Sequence, residues 1–216
     1  MLGYLLQYSG LSHPMAILEA ESEEIGSKLM DVLSWKKFAI LVSPARYNIV
    51  AERYRSIWSC LENELSLTDS PISSVSSEYE PVKIPSTEAE KLLEFYPRPT
   101  AGSRSLAGYE KWLSNQTVYG IFVNGKIVCV AGTYIESRHG WMLGGLYTHP
   151  RYRGLGLGTT VTSALTIEAL KKSQRAIAYV ESTNKASLRI LEKLGYQKTR
   201  DIMFADIGTG VPPLMN

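Results

Sequence analysis

Residues 149–160 read HPRYRGLGLGTT, and the way this stretch is used decides the fold. Glycines stand at 154, 156 and 158, arginines at 151 and 153, and Leu157 begins a run with helical spacing. Glycine loses more conformational freedom on folding than any other residue, so this cluster implies a place where bare backbone is needed. Upstream, WMLGGLYT (141–148) has the content of a strand. Downstream, Leu157, Val161, Ala164, Leu165 and Ala169 recur at helical spacing, with Lys171 and Lys172 in the last turn, where they complement the helix dipole. A strand that enters a glycine loop and then a helix gathers backbone N–H groups and the positive end of a dipole at one spot. Such a spot binds phosphate. The competing reading is a tight strand-to-helix turn and nothing more.

Two common phosphate loops do not fit. The nucleotide-triphosphate loop ends in Gly-Lys-Ser/Thr, whereas Gly158 is followed by Thr159 without a lysine, and the dinucleotide fingerprint Gly-x-Gly-x-x-Gly does not match glycines 154, 156 and 158. The pattern Arg/Gln-x-x-Gly-x-Gly/Ala does fit, through Arg153, Gly156 and Gly158. It resembles the acyl-CoA-binding signature of the GNAT superfamily of N-acetyltransferases. The downstream VESTNKASLRILEKLGY (180–196) is similar to that family's second motif, a strand leading to an asparagine and a helix that ends in Leu-Gly-Tyr/Phe. The resemblance covers about residues 80–207. It implies an α/β fold with a mixed, mostly antiparallel central sheet flanked by helices.

The resemblance also implies acetyl-CoA as co-substrate and an amine as acceptor. Backbone groups of Leu146, Tyr147 and Thr148 are expected to polarise the thioester carbonyl and to hold the pantetheine as an added strand. Arg153 and the N–H groups of Gly154, Leu155, Gly156, Leu157, Gly158 and Thr159 are expected on the pyrophosphate, the guanidinium bidentately. Asn184 and Ser187 complete the cofactor side. Arg151 reads as a surface charge or a contact to the 3′-phosphate. Gly144 and Gly145 mark a β-bulge, ligand access, or both.

Acyl transfer to an amine needs a proton acceptor. WMLGGLYT carries no carboxylate, and Met142 stands about where the glycine-acylating branch has one. The remaining candidates are Glu136 and His139 before that strand and Glu181 at the end of the next, with Glu181 favoured because it ends beside the cleft. The family's tyrosine, which protonates the leaving thiolate, is replaced by Leu191. A thiol of pKa about 8.5 leaves tolerably without help, and water or Ser187 is an alternative donor. The missing groups keep a second reading open, a non-catalytic acyl-CoA-binding or sensing module. A third is an interaction protein on the same scaffold. Around the acceptor, Tyr96, Arg98, Arg104 and Tyr109 either recognise an anion or are solvated, and FYPRPTAGSR (95–104) reads as a loop that admits substrate.

Composition sets the remaining bounds. The 216 residues are 44% apolar, enough for a core, and 23 basic against 21 acidic residues leave no field suited to nucleic acid or an anionic membrane. Cys60 and Cys129 have no metal-ligand spacing and are too few for a disulfide framework, so no metal and a reducing, cytoplasmic setting are expected. Neither a signal peptide nor a membrane span is expected, since no charged segment leads into an apolar core at residues 1–30 and no apolar run reaches roughly 20 residues. A monomer or homodimer is expected.

Along the chain, residues 1–70 read as a smaller α/β region: strands in GYLLQYSG and PMAILEAE, a helix in ESEEIGSKLMDVL, a strand in KKFAILVS, and one or two helices through PARYNIVAERYRSIWSCLENEL. The order echoes the second half without its glycines, and either resembles the glycine N-acyltransferase-like branch, in which a degenerate half precedes a complete domain, or is that of an unrelated small α/β domain. Serine-rich residues 71–81 read as a linker, 82–207 as the acyl-CoA-binding domain and 208–216 as a tail. Within 82–207, a strand in EPVKIP, a capping box opening STEAEKLLEF, a helix at 105–113, a type I′ hairpin at Asn124-Gly125 and strands in RAIAYVE and TRDIMFADI are expected.

Overall fold

The computed structural model describes residues 2–10, 13–69, 78–96 and 105–210. Parts of two expected segments, 71–77 of the linker and 211–216 of the tail, lie outside the described residues, as do Arg98 and Arg104. Ten strands form one sheet in the order β1-β2-β3-β10-β4-β9-β8-β7-β6-β5. They are β1 (Gly3–Tyr8), β2 (Met15–Ala20), β3 (Phe38–Val42), β4 (Trp58–Leu67), β5 (Val82–Lys83), β6 (Val118–Val123), β7 (Lys126–Ser137), β8 (Gly140–Thr148), β9 (Ala176–Glu181) and β10 (Gln197–Ile207). The helices are α1 (Glu23–Met30), α2 (Tyr47–Arg53), α3 (Ala89–Phe95), α4 (Leu106–Asn115), α5 (Leu157–Lys172) and α6 (Lys185–Leu194). None of the described helices is long and apolar enough to cross a membrane.

All neighbouring strands are antiparallel except β2 with β3 and β8 with β9. Each parallel pair is joined through a helix, α1 in the first case and α5 in the second. The two ends of the chain repeat one connectivity and exchange strands: β3 lies beside β10, β9 beside β4, and β4 pairs with β10 at the centre. Strands β1–β4 and β5–β10 therefore share one continuous sheet.

Alternation along the central strands sends side chains to two faces. One face packs Ala178 and Val180 of β9 beneath α5 and α6, and Met203, Ala205 and Ile207 of β10 beneath α1 and α2. The other face carries Tyr179, Ile202 and Phe204 together with Tyr96, Tyr109 and Trp112 from the α3–α4 side. The tip of the β1–β2 hairpin reaches this second layer, because Lys111 Nζ donates to the Ser9 carbonyl at 2.7 Å and Asn115 Nδ2 to the Gly10 carbonyl at 3.2 Å.

Most helix signals work as written. Ser22, Ser105 and Asn184 cap α1, α4 and α6 by accepting from the backbone three residues on, and Gly195 ends α6 at φ 94°. Asn124 and Gly125 both have positive φ, as a type I′ turn requires. Two expectations fail. The helix expected through WSCLENEL is instead strand β4, hydrogen-bonded on one side to β10 and on the other to β9, with Asn63, Leu65 and Leu67 buried in alternation; pairing on both edges overrides weak local preference. The capping box at 86–90 does not form. Ser86–Glu88 is spent in a 3₁₀ turn, and the Glu88 carboxylate pairs with Lys91 Nζ at 2.6 Å rather than with a backbone amide.

Candidate active site

The parallel pair β8–β9 holds only over Trp141–Ala176, Met142–Ile177 and Leu143–Ala178. Beyond Leu143 the two strands part, so the β8 edge from Gly144 to Thr148 faces a gap. The matching pair β2–β3 stays joined over four residues of the five-residue β3, and β2 passes to α1 through Glu21 and Ser22 alone. The cleft thus belongs to the second half only.

The gap starts at a double irregularity. On β7 and β8 the register shifts between Val130 and Gly132, where Gly145 and Leu146 stand in β8, and again between Thr133 and Ile135, opposite Leu143 and Met142. Gly145 has φ 64°, and a Cβ there would lie 3.1 Å from the Trp112 ring; at Gly144 it would lie 2.3 Å from the Tyr134 ring. The two glycines therefore build the bulge in close quarters with aromatic rings. Tyr96, buried, donates its hydroxyl to the Gly145 carbonyl at 2.6 Å, and Trp112 Nε1 donates to the Thr133 carbonyl at 2.7 Å across the same bulge. Tyr96 also stacks on Tyr109. Both tyrosines are buried, so neither is the solvated residue the sequence allowed; Tyr96 is a positioning residue for β8. We expect Tyr96→Phe to lower unfolding free energy by about 1–3 kcal/mol, because it leaves that carbonyl buried without its donor. Urea unfolding measures this.

At its far end β8 runs into the glycine loop, and each glycine has its own reason. Gly154 (φ 81°) and Gly156 (φ 77°) adopt the left-handed region with open space where a Cβ would stand, whereas a Cβ on Gly158 would come 3.0 Å from Ile190 Cδ1 of α6. Gly156 is the N-cap of α5 and, being a glycine, offers no side-chain cap, which leaves the first-turn N–H groups of Leu157, Gly158 and Thr159 able to meet a ligand. Arg153 is exposed. Its Nε donates to the Thr148 carbonyl at 3.2 Å and its guanidinium lies 5.8 Å from the Tyr147 ring centre, so the fork is held against the end of β8. Leu155 is exposed beside it. Asn184 Oδ1 accepts from Ser187 N at 3.0 Å, which fixes the start of α6 across the gap.

The candidate bases separate. Glu136 and His139 lie at the opposite end of β8 from the loop: Glu136 accepts from Thr117 N at 2.5 Å and Thr133 Oγ1 at 2.6 Å, and His139 is in the exposed β7–β8 turn, accepting from Arg138 Nε. Glu181 ends β9 at the open end of the splay, where Thr183 Oγ1 donates to it at 2.7 Å. Leu191 is buried with the α5–α6 cluster. Among the described residues no group of three or more His, Cys, Asp or Glu is placed to hold a metal ion.

One residue the sequence reading passed over joins this site. Glu62 of β4 pairs directly with Glu181 of β9. Burial, and then the like charge of Glu181, pushes the Glu62 carboxyl up to about 7. The signal was present as period-two alternation in WSCLENELSL, hidden by two glutamates in a strand interior.

The family model described as FR47-like protein matches residues 118–205, from β6 into β10. No curated protein sequence matches the chain. Among solved structures, a protein of Drosophila melanogaster aligns with TM-score 0.73 at 15% identity, over 97% of this chain and 75% of its own. A GNAT-family protein of Novosphingobium aromaticivorans aligns with TM-score 0.69 at 17% identity, over 96% of this chain and 89% of its own. The fold is that of the GNAT acyltransferases. A tandem GNAT protein from clavulanic acid biosynthesis also aligns, at TM-score 0.60 and 14% identity over 98% of this chain and 80% of its own. In this GNAT fold the strand that splays is β8, and the glycine loop opens the helix that follows it.

Proposed function

We propose that this protein is an acyl-CoA-dependent N-acyltransferase that moves acetyl from acetyl-CoA to a primary amine of a small molecule, an amino acid or a protein. The observation that carries the reading is the continuity of an unpaired β8 edge, Gly144 to Thr148, with an uncapped α5 N-terminus held by Gly154 and Gly156 in left-handed backbone. Leu146, Tyr147 and Thr148 would hold the pantetheine through main chain. Arg153 and the N–H groups of residues 154–159 would hold the pyrophosphate, with Asn184 and Ser187 bounding the gap from α6. When bound, acetyl-CoA supplies the activated acyl group.

The chain's own part is to exclude a strand from the gap, to fix the β8 bulge through Tyr96, and to accept a proton from the amine. The buried Leu191 means that no side-chain hydroxyl at that position protonates the leaving thiolate. Leu191, together with the lack of a carboxylate in WMLGGLYT, favours a non-catalytic acyl-CoA sensor. We also read residues 1–70 as a degenerate acetyltransferase-like half, as in the glycine N-acyltransferase-like branch. What supports this is the repeated connectivity around α1 and α5 and the exchange of strands at the centre.

Thermal melting tests the binding claim. Acetyl-CoA at 100 times its dissociation constant adds about 2.7 kcal/mol to the folded state, which raises the melting temperature by several degrees. NAD should not reproduce the shift, and an unmoved curve at millimolar acetyl-CoA overturns the reading. Thiol release with a panel of amines then separates enzyme from sensor.

A further inference from the structure

We infer that the proton acceptor for the amine is the Glu62 carboxylate, delivered to the cleft by the last strand of the N-terminal third and paired across β4–β9 with Glu181. The inference rests on the acyl-transfer reading above. In the antiparallel pair, Glu62 stands directly opposite Glu181, and such partners have Cβ atoms roughly 4.5–5.5 Å apart on the same face. That face is the one of Tyr179 and Ile202, where α3 and α4 lie, and not the one beneath α5 and α6. Glu181 is three residues beyond Ala178, the last β9 residue paired with β8. The pair therefore borders the open end of the splay, from the side on which an amine can approach the bulge at Gly145.

The neighbouring groups are already committed. Glu64 accepts from Tyr179 OH at 3.0 Å, from Thr199 Oγ1 at 2.7 Å and from Arg200 Nε at 2.9 Å, and Arg200 also pairs with Glu19. Among the described residues no hydrogen bond or ion pair engages the Glu62 side chain. Among the described residues, the titratable neighbours on its face of these strands are Glu181 and Tyr179 on β9, Cys60 and Glu64 on β4, and Arg200, opposite Glu64, on β10. Burial, together with Glu62 and Glu181, pushes the Cys60 thiol up to about 12, and burial with Glu64 raises Tyr179, so both stay protonated near neutrality. Burial works to raise Glu64, but Thr199 and Arg200 outweigh it and hold that carboxyl below its usual range. Glu62, in contrast, is poised near 7, where a general base works best.

The step balances as follows. An alkylammonium, drawn by the two carboxylates, gives one proton to Glu62. The neutral nitrogen then forms a bond to the thioester carbon, the carbon–sulfur bond breaks with its electron pair on sulfur, and the second nitrogen proton ends on that sulfur as the thiol. Glu62 returns its proton to water. Glu181 acts as a positioning residue, since its charge keeps the Glu62 proton affinity high.

The test measures thiol release from acetyl-CoA with phenylethylamine, spermidine, glycine and a lysine peptide, for the wild type, Glu62→Gln and Glu181→Gln, across pH 5.5 to 9. With the best amine, kcat/KM of the wild type should rise with pH through an apparent pKa near 7. Glu62→Gln should lose about 10²-fold or more and lack that limb, with acetyl-CoA affinity within a few-fold of wild type. Glu181→Gln should move the limb to lower pH. If Glu62→Gln stays within threefold of the wild type, or if Glu181→Gln abolishes turnover while Glu62→Gln does not, the inference is overturned and acetyl-CoA transfer still stands. A wild type silent with every amine overturns the transferase reading instead.

Discussion

Gly156→Val should weaken acetyl-CoA binding by at least 100-fold while leaving the fold largely intact. Gly156 sits at φ 77° as the N-cap of α5, with nothing within 4 Å of where a Cβ would stand. A left-handed conformation costs a non-glycine residue about 1–2 kcal/mol, and more for a β-branched one. Valine then has two outcomes. It can keep φ positive and place its methyls in the open volume over the N–H groups of Leu157, Gly158 and Thr159, the proposed seat of the pyrophosphate. Or it can relax to negative φ and turn those groups away from a common point. Each route removes the anion site, whereas the exposed loop spares the core. Gly156→Ala, which carries the strain with less bulk, should fall between. Isothermal titration with acetyl-CoA decides: a near-normal dissociation constant for Gly156→Val would mean that the glycines serve the turn alone.

The open space around Gly154 and Gly156 separates two reasons for glycine that a sequence presents as one. Gly158 is needed for the approach of α5 to Ile190 of α6, Gly144 and Gly145 for a bulge under Tyr134 and Trp112, and Gly154 and Gly156 for backbone sign. The spacing in HPRYRGLGLGTT was enough to place the loop, because the pattern depends on local backbone. The same is true of Asn124-Gly125, Asn184 and Gly195, each of which acts within a few residues of itself. Glu62 is the opposite case. Its role comes from Glu181, a partner far away in sequence, and its two-sided pairing comes from a strand exchange that no local window contains. The two glutamates that make β4 useful are also what disguised it, since charged residues inside a strand contradict its local preference and appear where a function offsets the cost.

That cost is measurable, and its pH dependence has a definite sign. With its folded-state carboxyl raised from 4.5 to about 7, Glu62 holds its proton in the native protein over a range in which the unfolded chain has already released it. Below about pH 4.5 both states are protonated and Glu62 contributes nothing to the pH dependence. Above that, unfolding releases a proton, so stability falls with rising pH at up to about 1.4 kcal/mol per unit until the native carboxyl ionises near 7. At pH 8 the full penalty, of the order of 3 kcal/mol, is present in the wild type. Glu62→Gln does not carry it. The variant should therefore match the wild type at pH 4.5 and exceed its unfolding free energy increasingly up to pH 7, with a constant difference beyond. Urea unfolding of the two proteins at a series of pH values reads this directly. Glu181→Gln should end the sloping range at a lower pH and so reduce the total penalty, because the like charge is removed while the burial remains. If the two stability curves run parallel from pH 4.5 to 8, Glu62 titrates as an ordinary surface carboxylate. A variant that gains stability as it loses turnover would instead mark Glu62 as a group kept for chemistry at the expense of the fold.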